Sequence, residues 1–581
     1  MMKWLNIVLC ACCISGLLYA QEAAKKAPIV STTIDFLDYA FYDREGSKEY
    51  YELSVWEKRL QELASCGITK VYLRVNACGA TLWPSKVSPQ YGQNGRVHYN
   101  AKEQGMRLAR TLQKYDALAE TIRLGHKYGL EVWCWDSSWD DSARPYGKLQ
   151  YADDVEKHGT YPLMDNWHYA HPGNWSRRDP RMDPKEDLPT IDVKQHPISR
   201  VVLVSVRKDK KPCRVQRENM TIYVSEDGRK YTKYAKDFKA EASLNADGYP
   251  QLVISGLEIR SPYVKFYQDN NYKVNGFNMV FNSSSSQSSH LYDDSGREMA
   301  ATWGQRIDRE PTPADAPVEF DNFVQFAWDA GYYQLGVYAG TRKLDVDHTK
   351  WLVGIPELLL PAARAHKIDR FRELAAYKFD GFIYNIRSHS LGFAGDNLVG
   401  AYGFNPELVA EFKRRTGKDV LKDDYDREAY DNMRSEGLDK FLAECKALTN
   451  GRPLYMTVGV PNTDKIKTGI SGAANWLHAF GMRFHVDKWV ADGSVDGITL
   501  LGNSVHAVPN EYVGKKVNGK PLKISVFREM AFPPEGKKYD FEKDINQLVV
   551  TPNVDEIELY ESMVLNAEKR MIITEALKKV K

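Results

Sequence analysis

Residues 115–136, YDALAETIRLGHKYGLEVWCWD, decide the fold that this sequence predicts. Residues 115–128 read as a helix, Gly129 stops it, and the following strand ends at Asp136. A helix that leads into a strand with a polar residue at its carboxyl end is typical of parallel α/β folds. The same unit recurs on both sides of this stretch.

An earlier copy of the unit begins at Ser54. Ser54-Val55-Trp56-Glu57 matches a capping box, apolar residues follow at helical spacing, and Gly67 ends the helix. The strand after it, VYLRVN, closes on Arg74 and Asn76. Two polar side chains therefore follow this strand, as Asp136 follows the next one.

The helical part of the unit continues in the second half of the chain. Residues 356–379 are predicted to be helical and to feed a strand. Asn405 and Pro406 form a cap and first-turn pair for a helix that Gly417 stops, and a further helix covers roughly 427–449.

Eight strands emerge from this pattern, and eight parallel strands with intervening helices predict an α/β fold of the (β/α)8 TIM-barrel type. They are TIDFLD (33–38), VYLRVN (71–76), EVWCWD (131–136), FIYNIR (382–387), LYMTVGV (454–460), DGITLLGN (496–503), KISVFREM (523–530) and EIELYES (556–562).

The pattern is interrupted after the third strand. Short strands such as VVLVSV, MTIYVSEDGRKY and PQLVISGLEI, separated by turn residues, predict an all-β, sandwich-like module over residues 196–310. We therefore expect residues 30–192 to form the first part of the barrel and residues 320–581 the remainder.

The first residues are typical of export. Lys3, an apolar run and Ala20 before Gln21 match a signal peptide over residues 1–20, so we expect a periplasmic or extracellular protein. Leu9-Cys10-Ala11-Cys12 faintly resembles a lipoprotein box, and lipid anchoring is the less favoured alternative. No membrane segment is expected after signal removal, because the apolar run is too short for a span.

The composition excludes several partners and cofactors. The 79 basic and 77 acidic residues leave almost no net charge, which argues against binding to nucleic acid. The five cysteines beyond the signal have no CxxC spacing, and the sequence contains no HExxH, P-loop, GxGxxG or GxSxG motif. We therefore expect neither a metal nor a cofactor, and the oligomeric state is left open.

Residues 379–390, FDGFIYNIRSHS, read as a strand that carries polar side chains to a site. Phe382 and Tyr384 share one alternation face, whereas Asn385, Arg387 and His389 share the other. An asparagine stands in the middle of this polar strand end, where a carboxylate would be expected for catalysis.

This strand also carries a family resemblance. DGFIYNIRSHS followed by GFNPELVAEFKRRTGKDV resembles the glycoside-hydrolase-like barrels known as family 10-like glycosyl hydrolases, and HKYGLEVWCW and HPGNW resemble their early barrel strand and loop. The resemblance covers most of 30–192 and 340–575 and implies hydrolysis of glycosidic bonds in a polysaccharide or oligosaccharide. In the insert, IYVSEDGRKYTKY resembles a discoidin or galactose-binding β-sandwich.

The chain departs from that family at one position. Many of these barrels carry an aspartate where this chain has Asn385, whereas Asp380 and Arg387 match the family pattern. The catalytic role of that position is therefore not carried over to this chain.

Glycoside hydrolysis needs two carboxyl groups on either side of the scissile bond, and in a barrel they stand at the carboxyl ends of the strands. The acidic residues at predicted strand ends are Asp38, Asp136, Glu529, Glu558 and Glu561. We predict catalysis by Asp136, Glu529 and Glu561, with Glu558 as the substitute for Glu561 if the strand register differs.

Other residues near strand ends offer hydrogen bonds or aromatic faces to a sugar. The predicted substrate-binding residues are Arg74, Asn76, Trp135, Trp139, Asn385, Arg387, His389 and Asn503. The leading hypothesis is a secreted glycoside hydrolase. The alternative is a barrel that binds carbohydrate without cleaving it, which the asparagine at position 385 motivates.

Overall fold

A computed structural model of the protein describes most of the chain beyond the predicted signal peptide. The described residues are 27–36, 52–93, 102–137, 139–141, 165–180, 188–204, 212, 217–268, 289–308, 319–320, 332–340, 351–385, 402–459, 474–475, 478–479, 482–502, 505–530 and 540–580.

Eight parallel strands close into a barrel, which confirms the predicted TIM-barrel part of the fold. Each strand pairs with its successor in the chain, and the eighth pairs with the first. The strands are β1 (Ile29–Ile34), β2 (Lys70–Arg74), β3 (Glu131–Ser137), β4 (Gly381–Asn385), β5 (Leu454–Gly459), β6 (Gly497–Leu501), β7 (Lys523–Glu529) and β8 (Glu556–Tyr560).

Ring contacts show which side chains face the barrel lumen. Trp133 of β3 and Tyr455 of β5 meet with ring centroids 4.8 Å apart, and because these strands are not neighbours the contact lies inside the barrel. Phe382 of β4 packs instead against Phe371 of a surrounding helix, with centroids 5.1 Å apart. Alternate residues of each strand therefore face the lumen and the helices.

The first strand differs in position from its prediction. It starts at Ile29 rather than at residue 33, because the β-branched residues of Ile29–Ile34 favour a strand over the whole stretch. Asp35 therefore follows the strand directly, while the predicted strand-end acid, Asp38, lies outside the described residues.

Helices accompany the strands, and among the described residues none is both long and apolar enough to cross a membrane. Their bounds are Leu53–Ser65, Lys102–Lys114, Ala117–Lys127, Asn166–Ala170, Pro361–Ala375, Pro406–Thr416, Arg427–Leu448, Val486–Asp492, Phe541–Leu548 and Ala567–Lys578.

Neither of the two predicted helix-capping side chains caps its helix. The helix Leu53–Ser65 already includes Ser54, and Glu52 precedes it without a capping hydrogen bond, so the predicted capping box is wrong. Asn405 does precede the helix Pro406–Thr416, but its side chain does not cap the helix. Its Oδ1 accepts a hydrogen bond from Arg177 N at 2.9 Å and its Nδ2 donates to Trp175 O at 2.7 Å, which fixes the short strand Trp175–Arg177 after β3.

The segment between β3 and β4 also contains two antiparallel sheets, which share one hydrophobic core. The four-stranded sheet consists, in spatial order, of Lys239–Leu244, Pro250–Ile259, Ile198–Val204 and Ser289–Asp293. The six-stranded sheet consists of Glu319–Phe320, Ala301–Asp308, Tyr332–Ala339, Tyr263–Gln268, Met220–Ser225 and Thr232–Lys233. The predicted likeness of this segment to a discoidin-type insert stays a prediction.

A glycine in β4 leaves room for an indole in the lumen. A Cβ atom added at Gly381 would lie 2.6 Å from the ring of Trp133, closer than non-bonded carbons approach. We predict that Gly381→Ala lowers the free energy of unfolding by about 1–3 kcal/mol through overpacking, measured by urea denaturation. Gly173→Ala is the control, because its added Cβ meets nothing within 4 Å. An equal effect in both variants would contradict the packing argument.

Candidate active site

The amino-terminal end of the lumen is filled by a buried ion pair. Nζ of Lys70 lies 2.5 Å from Oε2 of Glu556, and Ser31 donates a hydrogen bond to Oε1 of Glu556 at 2.6 Å. The ammonium group also lies 3.9 Å from the centroid of the Trp133 ring. These additional contacts offset the free energy that the two charges lose when they are removed from water.

Glu558 lies two residues further along β8, in the middle of the lumen. Burial raises its pKa to about 8, and the charge of Glu556 adds to the rise, whereas Lys70 opposes it. The hydroxyl of Thr33 donates to Oε1 of Glu558 at 3.5 Å. Glu558 is therefore a neutral carboxylic acid at pH 7.

The carboxyl-terminal mouth of the barrel is organised around Arg74. Its Nη1 lies 2.5 Å from Oδ2 of Asp35, and its Nη2 lies 2.6 Å from Oδ2 of Asp140. Its Nε donates to the backbone oxygen of Asn76 at 3.0 Å. The side chains of Arg74, Asp35 and Asp140 are all buried. Through these contacts the guanidinium joins β2 to the end of β1 and to the loop after β3.

Asn76 fixes the end of β3 through both atoms of its amide. Its Oδ1 accepts from Ser137 N at 2.7 Å, and its Nδ2 donates to Ser137 O at 3.0 Å. Asn76 and Arg74 thus hold the protein's own backbone and carboxylates in this structure. Their predicted role in substrate binding stays a prediction.

An aromatic cluster lies at the level of Arg74. The Trp135 ring meets the Tyr560 ring with centroids 5.6 Å apart, and Phe527 meets Tyr560 at the same distance. The guanidinium of Arg74 lies 5.8 Å from the centroid of Trp135. These rings are buried, and so is Trp139, the other predicted sugar-stacking residue. All four rings belong to the main hydrophobic core.

Glu529 and Glu561 stand at neighbouring strand ends. Glu529 is the last residue of β7 and the register partner of Tyr560, the last residue of β8, after which Glu561 follows directly. Neighbouring strands lie about 4.8 Å apart, so the two glutamates come from adjacent points on the barrel rim. Glu529 is partly exposed, and Glu561 is fully buried.

Asp136 lies on the opposite face of the sheet. Its neighbour Trp135 faces the lumen, so Asp136 faces the helix Pro361–Ala375, where its Oδ1 lies 3.4 Å from Nη2 of Arg370. Burial raises the pKa of Asp136, although Arg370 and Lys367 oppose the shift. The structure thus places Asp136 away from Glu529, and its predicted catalytic role stays a prediction.

Asp136 belongs to a larger buried network between the sheet and that helix. Asp141 Oδ1 lies 2.8 Å from Nη1 of Arg370 and 3.0 Å from Nζ of Lys367, and its Oδ2 lies 2.8 Å from Nε2 of His168. These partners hold the pKa of Asp141 well below its usual range, against the effect of burial. The network fixes the loop after β3 to the helix.

The remaining predicted site residues divide into two groups. Asn385 is buried at the lumen-facing end of β4 and is the register partner of Ser137. Arg387, His389 and Asn503 lie outside the described residues.

The sequence interpretation missed Asp35 as a mouth residue because β1 was placed too late in the chain. It also missed the pairs that Asp140 and Asp141 form, because their partners are distant in sequence. Asp140 and Asp141 directly follow Trp139, but no spacing rule connects them to Arg74 or Arg370.

No protein-family profile and no curated protein sequence matches the chain. Among solved structures, the catalytic domain of β-amylase from Paenibacillus polymyxa is similar with a TM-score of 0.37 and 7% identity, over 95% of this chain and 98% of that chain. A rhamnosidase from Novosphingobium sp. PP1Y is similar with a TM-score of 0.24 and 9% identity, over 94% of this chain and 56% of that chain. The barrel assignment itself rests on the strand pairing.

The raised pKa of Glu558 predicts a pH-dependent stability. The folded chain holds this proton up to about pH 8, whereas an unfolded glutamate releases it near its ordinary pKa of 4.5. Between these values the folded state binds more protons, so the group's contribution to stability falls as pH rises. Replacing Glu558 by glutamine should remove a slope of roughly 1.4 kcal/mol per pH unit from the unfolding free energy between pH 5 and 8. Identical slopes for the two proteins in urea denaturation would contradict the lumen assignment.

Asp136 and Asp141 should respond oppositely to neutralisation. The surroundings of Asp136 disfavour its charge, so Asp136→Asn should keep the unfolding free energy within about 1 kcal/mol or raise it. Asp141→Asn leaves Lys367 and Arg370 without their shared partner and should cost about 3–5 kcal/mol. Chemical denaturation at pH 7 measures both, and a larger loss for Asp136→Asn would reverse the assignment.

Proposed function

We propose that this protein hydrolyses glycosidic bonds, with Glu529 and Glu561 as the carboxyl pair at the barrel mouth. The position of Glu529 carries the proposal: a carboxyl group at the lumen-facing end of a barrel strand, partly open to solvent, is where (β/α)8 enzymes hold catalytic side chains. The family resemblance supplies the reaction class. We assign Glu561 rather than Asp136 as the second group, because Asp136 faces the helix behind the sheet.

The other described acids near the strand ends are less suited to this role. Asp35 and Asp140 both bind the guanidinium of Arg74. A carboxylate held by arginine is a poor proton donor, because the charge of the arginine favours its ionised form. Asp136 contacts Arg370 behind the sheet, away from the lumen. Glu529 ends β7 on the lumen side and is partly exposed, so a substrate can reach it.

Adjacent strand ends suit the two-carboxylate mechanism. One group protonates the leaving oxygen, while the other either attacks the anomeric carbon or activates water. Because Glu529 pairs with Tyr560 and Glu561 follows Tyr560, the backbones of the two glutamates are neighbours at the rim of the barrel. A glycosidic oxygen bound above the ends of β7 and β8 would lie next to both strand ends.

We propose that the substrate is a neutral or acidic carbohydrate. Buried Trp135 and Tyr560 supply apolar surface below the mouth, and Asn385 supplies an amide at the end of β4. Sugars present both flat apolar faces and hydroxyl groups, which suits this combination. Export is part of the same proposal, supported by the signal-like residues 1–20.

The direct test is hydrolysis of a polysaccharide panel by protein without residues 1–20, with reducing-sugar release as the measurement. We expect Glu529→Gln to lower kcat by about 100- to 10,000-fold, the range for loss of a positioned acid or base. Glu131→Gln, an exposed glutamate at the opposite end of β3, is the matched control and should keep the wild-type rate. Equal rates in all three proteins would overturn the role of Glu529.

A second candidate function is carbohydrate binding without hydrolysis. Asn385 favours it, because this amide occupies the lumen-facing end of β4, where a carboxylate would supply a catalytic acid. Binding of an oligosaccharide by calorimetry, with no cleavage on any member of the panel, would establish this function and exclude the first.

A further inference from the structure

Two histidines and an aspartate cluster behind the sheet, between the loop after β3 and the helix Pro361–Ala375. Asp165, His168 and His366 each place a potential ligand atom within 4.8 Å of those of the other two. All three side chains are buried. They are separate from Glu529 and Glu561, so the proposed hydrolysis does not use them.

Asp165 is held from several sides. Its Oδ1 accepts the backbone N–H of Trp167 at 2.9 Å, and its Oδ2 accepts the hydroxyl of Ser88 at 2.5 Å. Nε2 of His366 lies 2.8 Å from the same Oδ2. Hydrogen bonds of this kind orient the ligating carboxylate in metal sites. The short distance between Asp165 and His366 is also what two ligands of one ion would show.

His168 offers an unused ring nitrogen. Its Nε2 lies 2.8 Å from Oδ2 of Asp141, and its Nδ1 has no hydrogen-bond partner within the described part of the chain. A side chain this deeply buried normally pairs each polar atom. An imidazole whose Nε2 faces a carboxylate can turn a lone pair on Nδ1 toward a metal.

Aromatic stacking fixes the second imidazole. Trp167 stacks on both His366 and His171, with ring centroids 4.4 Å and 4.5 Å apart and interplanar angles of 7° and 25°. His168 and His366 meet edge to face, with centroids 5.1 Å apart. Both imidazoles are therefore held in defined orientations, as a metal site requires.

The buried groups around the cluster include more carboxyl groups than cationic side chains. Asp136, Asp141 and Asp165 face Lys367 and Arg370. Nη1 of Arg370 lies 2.8 Å from Oδ1 of Asp141 and 4.0 Å from Oδ2 of Asp165.

We propose that Asp165, His168 and His366 bind one Zn²⁺ ion. Two imidazoles and a carboxylate match the ligands that zinc prefers, whereas Mg²⁺ and Ca²⁺ prefer oxygen alone. Asp141 stands behind His168 as the carboxylate partner of a ligating histidine. The ion fixes the loop after β3, including the Asp140 that binds Arg74, to the helix Pro361–Ala375.

The test is metal content. Protein lacking residues 1–20 is equilibrated with Zn²⁺, dialysed and analysed by mass spectrometry of the metal. We expect about one zinc per chain, a rise in the thermal midpoint with Zn²⁺ but not with Mg²⁺, and visible absorption bands after Co²⁺ substitution. His168→Ala and His366→Gln should each weaken Zn²⁺ binding by at least about 10-fold. Loss of a residue that only hydrogen-bonds to a ligand already costs that much, and these two residues are ligands themselves.

His126→Ala is the matched control. His126 is exposed and contacts Asp380, which precedes β4 at the other end of the barrel, so this variant should keep one zinc. Wild-type protein that retains no zinc and shows no thermal shift would overturn the proposal and leave a buried ion network without a metal. One zinc retained in both His168→Ala and His366→Gln would also overturn it. Because wild-type protein alone gives a decisive result, the test does not depend on the variants folding.

Discussion

The guanidinium of Arg74 is the constraint on which the barrel mouth depends. A buried arginine is tolerated only when its charge is paired and its N–H groups are bonded, and Asp35, Asp140 and the Asn76 carbonyl meet that requirement. Through these contacts one side chain joins β1, β2 and the loop after β3. The positions of the neighbouring groups at the mouth follow from this arrangement.

Asp140 and Asp141 extend that constraint across the sheet. Asp140 binds Arg74 at the mouth, whereas Asp141 binds Lys367 and Arg370 on the helix behind it. Gly79 allows this loop to lie close, because a Cβ at its left-handed φ of 81° would lie 2.1 Å from the Asp141 carbonyl oxygen. Two consecutive aspartates thus couple the mouth to the buried network behind it.

The barrel could be predicted from sequence because it depends on repeated local patterns. The strands are short segments rich in β-branched, aromatic and other apolar residues, and glycines such as Gly67 and Gly129, both with positive φ, follow the preceding helices. The side chains at the mouth could not be predicted as well, because their roles depend on distant partners. Asp136 illustrates this limit: its place at a strand end is evident from sequence, but Arg370 shows which face it serves.

The same limit applies to the cluster behind the sheet. Asp165 and His366 are 201 residues apart in sequence, so no local spacing indicated that their side chains meet. The position of Glu529 at the end of β7 was predictable, because it depends only on the local pattern of that strand. Its catalytic role, which rests on where barrels place reactive groups, stays a proposal.

A crystal structure of the protein bound to an oligosaccharide tests the central claim most directly. We predict a sugar chain over the ends of β7 and β8, with a glycosidic oxygen or anomeric carbon within about 3.5 Å of the Glu529 carboxylate. Sugar bound only to the two antiparallel sheets between Ile198 and Ala339, with none at the barrel mouth, would contradict it.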